Sequence, residues 1–80
     1  MHVDQWKIGP TIKRLRISEQ LSQVELALRS ELDEKTINKL ERNQQEPLFP
    51  TIVALAEAFK MLPSEFIREI EKDVFSDKKM

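Results

Sequence analysis

The chain has 80 residues, enough for one domain, and a domain this small buries only about 60% of the surface that its unfolded chain exposes. It has no cysteine, so disulfides, thiolate metal sites and cysteine nucleophiles are excluded, and its one histidine, His2, stands at the extreme N-terminus. Thirteen Lys and Arg against 14 Asp and Glu leave a formal net charge of −1, so any nucleic-acid surface has to come from local arrangement and not from bulk basicity.

The composition is that of an all-α protein: one glycine, no tyrosine, and many strong helix formers. No window alternates long enough to make a strand. Helix one is predicted to start at Gly9-Pro10, because proline at the first helical position loses no hydrogen bond, and to end near Ser18 or Glu19. Its inward stripe is Ile8, Ile12 and Leu15. Helix two opens on Ser22 as N-cap with Glu25 three residues on, a capping box, and Leu21 and Leu26 stand at the staple positions. It runs to about Arg29, with Leu26 and Ala27 inward. Helix three opens on Asp33 as N-cap, with Leu32 and Ile37 as staple, and runs to about Arg42 with Ile37 and Leu40 inward. Asn43, tolerant of left-handed dihedrals, closes it.

Two prolines within four residues make 44–50 a loop. Helix four follows from Phe49 or Pro50 to Lys60, with Phe49, Ile52, Leu55, Ala56 and Phe59 expected inward. Pro63 opens helix five, which carries Phe66, Ile67 and Ile70, with Val74 at the end of the same stripe. The expected organisation is an N-terminal segment 1–7, a compact five-helix domain 8–75 and a charged, frayed tail 76–80.

Only Ser30 to Leu32 join helices two and three. So short a connection between two stapled helices favours a sharp crossing, the geometry of a helix-turn-helix. In that arrangement the second helix shows its solvent face to the major groove and the first lays its N-terminus on a phosphate.

The stretch from Leu21 to Asn43 resembles the lambda-repressor-like family, the Cro and xenobiotic-response-element type of helix-turn-helix. The matching features are Ser22-Gln23 opening helix two, the small Ala27 at the helix contact, and Thr36-Ile37 in mid helix three. The triplet Leu40-Glu41-Arg42 at its end and Pro47 in the next loop complete the match. The resemblance covers about Ile8 to Ile70. It implies double-stranded DNA as partner, no cofactor, no metal and no catalytic activity. Ser22 and Gln23 fall at the start of helix two, where the family's glutamine contacts a phosphate; a plain helix former is the other reading of Gln23. Glu34, Lys35 and Asn38 fall at base-reading positions, Thr36 and Lys39 beside them, and Asn43 and Gln44 where the family loop meets the DNA backbone. Asn can pair with adenine, Lys with guanine acceptors and Glu with the cytosine amino group. Glu34 has a second reading as a first-turn acid that complements the helix dipole, with Asp33 as the cap. Arg16 could be taken for a phosphate contact, but its family position implies an ion pair with Glu41 between helices one and three.

Three positions that often hold glycine in the family carry Gln20, Glu31 and Lys60 here. A left-handed conformation at such a residue costs on the order of 1 kcal/mol. Ile17, Val24 and Leu28 lie off the core stripes. They are ordinary exposed residues, or Val3 and Trp6 fold back over them, or they form a surface for a protein partner. Ile67, Ile70 and Val74 on helix five have two readings, core or homodimer interface; the family often dimerises through this helix, and the interface is the expectation carried forward. No apolar run approaches the roughly 18 residues of a membrane span, and Met1 to Lys7 lacks a signal-peptide pattern, so a cytoplasmic location is expected. The functional expectation is a dimeric, operator-binding regulator. The alternative is a helix-turn-helix scaffold that acts mainly on proteins, as an antitoxin or anti-repressor component.

Overall fold

The computed structural model describes residues 6–76. The expectations for His2 and Val3, for most of the N-terminal segment, and for the tail beyond Ser76 lie outside them. The described residues form α1 (Gly9–Ser18), α2 (Gln23–Ser30), α3 (Glu34–Glu41), α4 (Phe49–Ala58) and α5 (Pro63–Val74), and contain no strand. α1 packs on α3 and α5, α2 on α3 and α4, and α4 on α5. At their centre lie Ile12, Leu26, Ile37, Leu40, Leu55 and Phe66, all fully buried. The Phe59 and Phe66 rings meet at 6.0 Å between centroids, which joins α4 to α5.

Local chemistry explains where each helix starts. Pro10 lies in the first turn of α1. At α2 the Ser22 hydroxyl accepts from the Glu25 amide at 3.0 Å, and the Glu25 carboxylate accepts from the Ser22 amide at 2.7 Å. At α5 the Leu62 amide donates to Glu65 Oε1 at 2.7 Å. Asp33 holds the N-cap position of α3, but its side chain makes no capping hydrogen bond. It contributes charge at the positive end of the helix dipole.

The ends of α1, α2, α3 and α4 share one device. Gln20, Glu31, Asn43 and Lys60 have φ between 57° and 60°, the left-handed region, and none is glycine. Beyond each, the next amide reaches back to an orphan carbonyl: Leu21 to Arg16 at 3.0 Å, Leu32 to Ala27 at 3.0 Å, Gln44 to Lys39 at 2.8 Å and Met61 to Ala56 at 2.8 Å. These are Schellman closures. Three of the four following residues are apolar and lie on or in the core. Their burial offsets the strain at the residue before.

The one glycine stands where two elements nearly collide. The Gly9 amide donates to Asn43 Oδ1 at 3.0 Å. A Cβ on Gly9 would run into the Glu41 carbonyl oxygen and stand 2.7 Å from that of Leu40, so the backbone of α1 starts directly against the end of α3.

Three expectations need correction. Phe49 was placed inward and is 75% exposed. It is the first residue of α4, and helical side chains lean toward the N-terminus, so its ring projects past the helix end. Ile70 was assigned to a dimer surface, but it is 1% exposed and belongs to the core of the single chain. Ile67, on the same helix, is 40% exposed, and Val74 is half-buried. Trp6 does not cover Ile17, Val24 and Leu28, all of which are exposed. Its ring packs edge-on against Phe75 at 5.5 Å, at the far end of α5.

Candidate nucleic-acid interface

α3 is divided between core and solvent by its apolar period. Ile37 and Leu40 are fully buried, three residues apart on one face, while Glu34, Lys35 and Lys39 are exposed on the other. Thr36 and Asn38 lie half-buried at the boundary, on the flanks that face neighbouring elements. The outward surface of the helix is therefore polar and carries side chains with both donors and acceptors. Beyond its end Arg42, Asn43 and Gln44 are exposed. Asn43 has its amide oxygen committed to Gly9, so its side chain is first a brace between α1 and α3.

Behind that surface runs a connected set of polar side chains. Arg16 Nε donates to Glu41 Oε2 at 2.6 Å, and Nη2 to Glu41 Oε1 at 3.2 Å, a two-pronged pair between α1 and α3. The two side chains are 13% and 4% exposed. Arg16 Nη1 also donates to the Leu21 carbonyl at 2.8 Å, which ties the turn before α2 to the same guanidinium. Three of its five donors are thus spent inside the fold, and the ion pair is the role that the structure gives Arg16. Gln23 Nε2 donates to Glu41 Oε1 at 3.0 Å, and Asn38 Nδ2 donates to Gln23 Oε1 at 3.3 Å. The set thus links α1 to the C-terminal turn of α3, then to the first residue of α2, and returns to the middle of α3.

Ser22 and Gln23 lie together at the start of α2. The Ser22 hydroxyl is occupied as the acceptor of the cap, and Ser22 is exposed. Glu25 sits beside it, and its carboxyl is held below the usual range, first by the Ser22 amide and then by the Ser22 hydroxyl. At neutral pH the start of α2 therefore carries its own anion. Gln23, half-buried and engaged on both ends of its amide, is a joint between α2 and α3.

The site residues Ser22, Gln23, Glu34, Lys35, Thr36, Asn38 and Lys39 all lie on the α2–turn–α3 unit, and Asn43 and Gln44 on the loop that leaves it. The sequence reading missed the link from Gln23 to Asn38 and Glu41. Its signal was present: Asn38 and Glu41 are three apart, on the flank of α3 that turns toward α2. The second missed feature was the bond from Gly9 to Asn43, for which the lone glycine at a helix start was the clue. Elsewhere, Arg14 bonds Glu69 and Asp73 at 3.0 Å each, and buried Thr11 donates to Asp73 at 2.6 Å. These bonds hold α1 to α5, away from α2 and α3. Among the described residues no group of three or more His, Cys, Asp or Glu is placed to hold a metal ion.

A short α2–α3 connection, a capped first helix and a second helix with a buried apolar face and a polar outer one define a helix-turn-helix domain. The chain belongs to that family: the family model described as Helix-turn-helix matches residues 12–67. Its fold is similar to that of the restriction-modification controller protein C.AhdI from Aeromonas hydrophila. That likeness has 34% identity and a TM-score of 0.73, over 81% of this chain and 98% of that one. The clp gene regulator ClgR from Corynebacterium glutamicum is similar in fold, with a TM-score of 0.80 at 16% identity, over 92% of this chain and 79% of that one. No curated protein matches the sequence. The five-helix, lambda-repressor-like architecture expected from the sequence is the architecture of this family.

Proposed function

We propose that the chain is a sequence-specific DNA-binding regulator of transcription that grips its operator as a homodimer and has no catalytic role. The observation that carries this reading is the division of α3: its apolar pair is sealed in the core, Glu34, Lys35 and Lys39 are exposed, and half-buried Asn38 stands at the boundary. In a homodimer two such helices enter successive major grooves about 34 Å apart. Lys35 and Asn38 read base edges. Ser22, Gln23, Lys39, Asn43 and Gln44 meet phosphates, and Thr36 stands between the two groups. Glu34 either accepts from a cytosine amino group or serves α3 as a first-turn acid. The likeness to a named controller protein, at 34% identity over nearly its whole length, supports the same reading.

The helix-turn-helix domain proper is 8–75, with 1–7 and 76–80 as flanking segments. With Ile70 taken by the core, the dimer surface on α5 comes down to Ile67 and Val74, and exposed Leu48, Phe49 and Leu62 are further apolar candidates. No described helix is long and apolar enough to cross a membrane; the cytoplasm, where DNA is reached directly, is the proposed location. A second reading has its own observation: Ile17, Val24 and Leu28 are exposed apolar residues on α1 and α2, a surface for a protein partner.

The experiment is a selection from random duplexes at two salt concentrations. An enriched motif with two-fold symmetry, and binding that weakens as salt rises, are expected. Lys39→Ala should weaken all sequences alike, since phosphates carry no base information, whereas Lys35→Ala should flatten preference at one base pair. Absence of any motif and of any salt-dependent binding moves the assignment to the protein-binding reading.

A further inference from the structure

We propose that the hydrogen-bond chain from Arg16 to Asn38 has a fixed direction, and that Glu41, a buried positioning residue, thereby decides which atoms Asn38 offers to a base. The inference rests on the reading that α3 enters the major groove. Its substance is the assignment of position 38 to adenine, with guanine rejected.

The direction follows from what each group can do. A guanidinium only donates, and a carboxylate in an ion pair only accepts. Glu41 Oε2 takes Arg16 Nε, and Oε1 takes both Arg16 Nη2 and Gln23 Nε2. Gln23 therefore has to turn its amide nitrogen toward Glu41, whichever way its side chain would otherwise lie. That leaves Gln23 Oε1 facing α3, where only a donor can meet it, and Asn38 Nδ2 does so at 3.3 Å. Flipping either amide sets oxygen against oxygen, or N–H against N–H, and breaks the chain. Glu41 is 4% exposed, so water does not compete for its position at the head of the chain.

With one N–H spent on Gln23, Asn38 keeps Oδ1 and one N–H for the groove, an acceptor beside a donor. Adenine presents the complement, its N6 amino donor beside the N7 acceptor. Guanine presents two acceptors, N7 and O6, and one of them would face Oδ1. An Asn free to rotate could turn its nitrogen outward and tolerate guanine. An Asn held from behind cannot.

The decisive variants invert or preserve the direction at position 23 while leaving the Arg16–Glu41 pair in place. In Gln23→Lys the new ammonium donates to Glu41 and to Asn38, so Asn38 has to turn Oδ1 inward and its nitrogen outward. In Gln23→Glu the new carboxylate repels Glu41 and loses that link, but it still accepts from Asn38 Nδ2 and so preserves the direction at position 38. The readout is the ratio of affinities for the selected duplex and for the duplex with guanine in place of adenine at the contacted pair. For the wild type the ratio should be about 5- to 140-fold, from about 1–3 kcal/mol per bidentate contact at 1.4 kcal/mol per tenfold. Gln23→Lys should bring it to near one or reverse it. Gln23→Glu should stay on the adenine side while binding all duplexes more weakly. A phosphate contact at position 23 scales both duplexes equally, so it cannot move the ratio. The same ratio in wild type and Gln23→Lys overturns the chain and leaves the operator reading intact. A wild type that binds no duplex at low salt overturns the operator reading and the base assignment with it. Independently of DNA or of variant folding, the Asn38 Nδ2 protons of the free protein should show a nuclear Overhauser contact to the Gln23 side chain. Its absence also overturns the chain.

Discussion

Removing the Arg16 guanidinium, as in Arg16→Met, should destabilise the domain by about 3–5 kcal/mol, the range found when one partner of a buried ion pair is cut away. Three features put the loss in that range. Glu41 is 4% exposed, so once Arg16 is gone its carboxylate keeps only the Gln23 amide as a partner and gains little water. The pair has two prongs, at 2.6 and 3.2 Å, so the lost interaction is among the stronger of its kind. The same substitution also strips a donor from the Leu21 carbonyl, at the turn that sets the start of α2. An 80-residue domain has roughly 4–12 kcal/mol of total stability at 0.05–0.15 kcal/mol per residue, so the variant stands near the edge of folding. The assay is urea unfolding followed by far-ultraviolet circular dichroism, with the midpoint and slope fitted together. The double variant Arg16→Met/Glu41→Leu should recover much of the loss, because no charge is then left buried. A loss under about 1 kcal/mol for the single variant, the value of an exposed pair, would refute the claim that this pair is desolvated.

Gly9→Ala should destabilise by about 1–3 kcal/mol or more, as overpacking does, because its Cβ meets backbone carbonyls of Glu41 and Leu40 that cannot rotate away; thermal melts measure it, and an unchanged midpoint would contradict the close approach. Glu31→Gly should be neutral to stabilising, by up to about 1.6 kcal/mol: relief of left-handed strain is worth about 1–2 kcal/mol, and the looser unfolded chain takes back about 0.4–1 kcal/mol. A clear loss in the same melts would mean that the Glu31 side chain has a role of its own. The Glu25 carboxyl titrates below its ordinary value of 4.5 because the folded state bonds its ionised form. Its stabilisation is thus complete above that value and disappears as pH falls through the lower, folded value; an NMR titration should show the Ser22 and Glu25 amides losing protection in that window and not near neutrality.

Much of the fold was legible because its signals are local. The Ser22–Glu25 box, the proline at the start of α1 and the apolar spacing of Ile37 and Leu40 each depend on residues within one or two turns. The left-handed positions at Gln20, Glu31 and Lys60 were legible through the resemblance, which marks them as places for glycine. Phe49 was misread because periodicity counts a residue as inward by its angle around the helix axis and ignores that the first residue overhangs the end. Ile70 was misread because a stripe shows which residues avoid water, and not whether the partner is the same chain or another. The bonds from Gln23 to Glu41 and Asn38 join residues 15 and 18 positions apart. Which amide reaches which carboxylate there depends on the crossing of α2 and α3, and that angle is set by packing.

The near-neutral charge is compatible with a DNA surface because of where the acids are used. Glu41 is matched by Arg16 inside the fold, and Glu69 and Asp73 are matched by Arg14 between α1 and α5. Glu69 is held below the usual carboxylate range by Lys72 first and Arg14 second, so it too is committed to its neighbours. Glu25 and Glu65 cap the helices on which they sit. In contrast Lys35, Lys39 and Arg42 enter no ion pair among the described residues and are exposed along α3 and its end. Exposed Asp33 and Glu34 stand at the other end of that helix, against its N-terminal amides. The outer face of α3 thus has its acids only at the start, with Lys35 beside them, while Lys39 and Arg42 leave the C-terminal turn purely cationic. Under the proposed reading, a phosphate backbone attracted by Lys39 and Arg42 and repelled by Asp33 and Glu34 would select a tilt of α3 in the groove. Asn38, near the centre, would then meet a base with little freedom of approach, the condition under which an amide of fixed direction can discriminate.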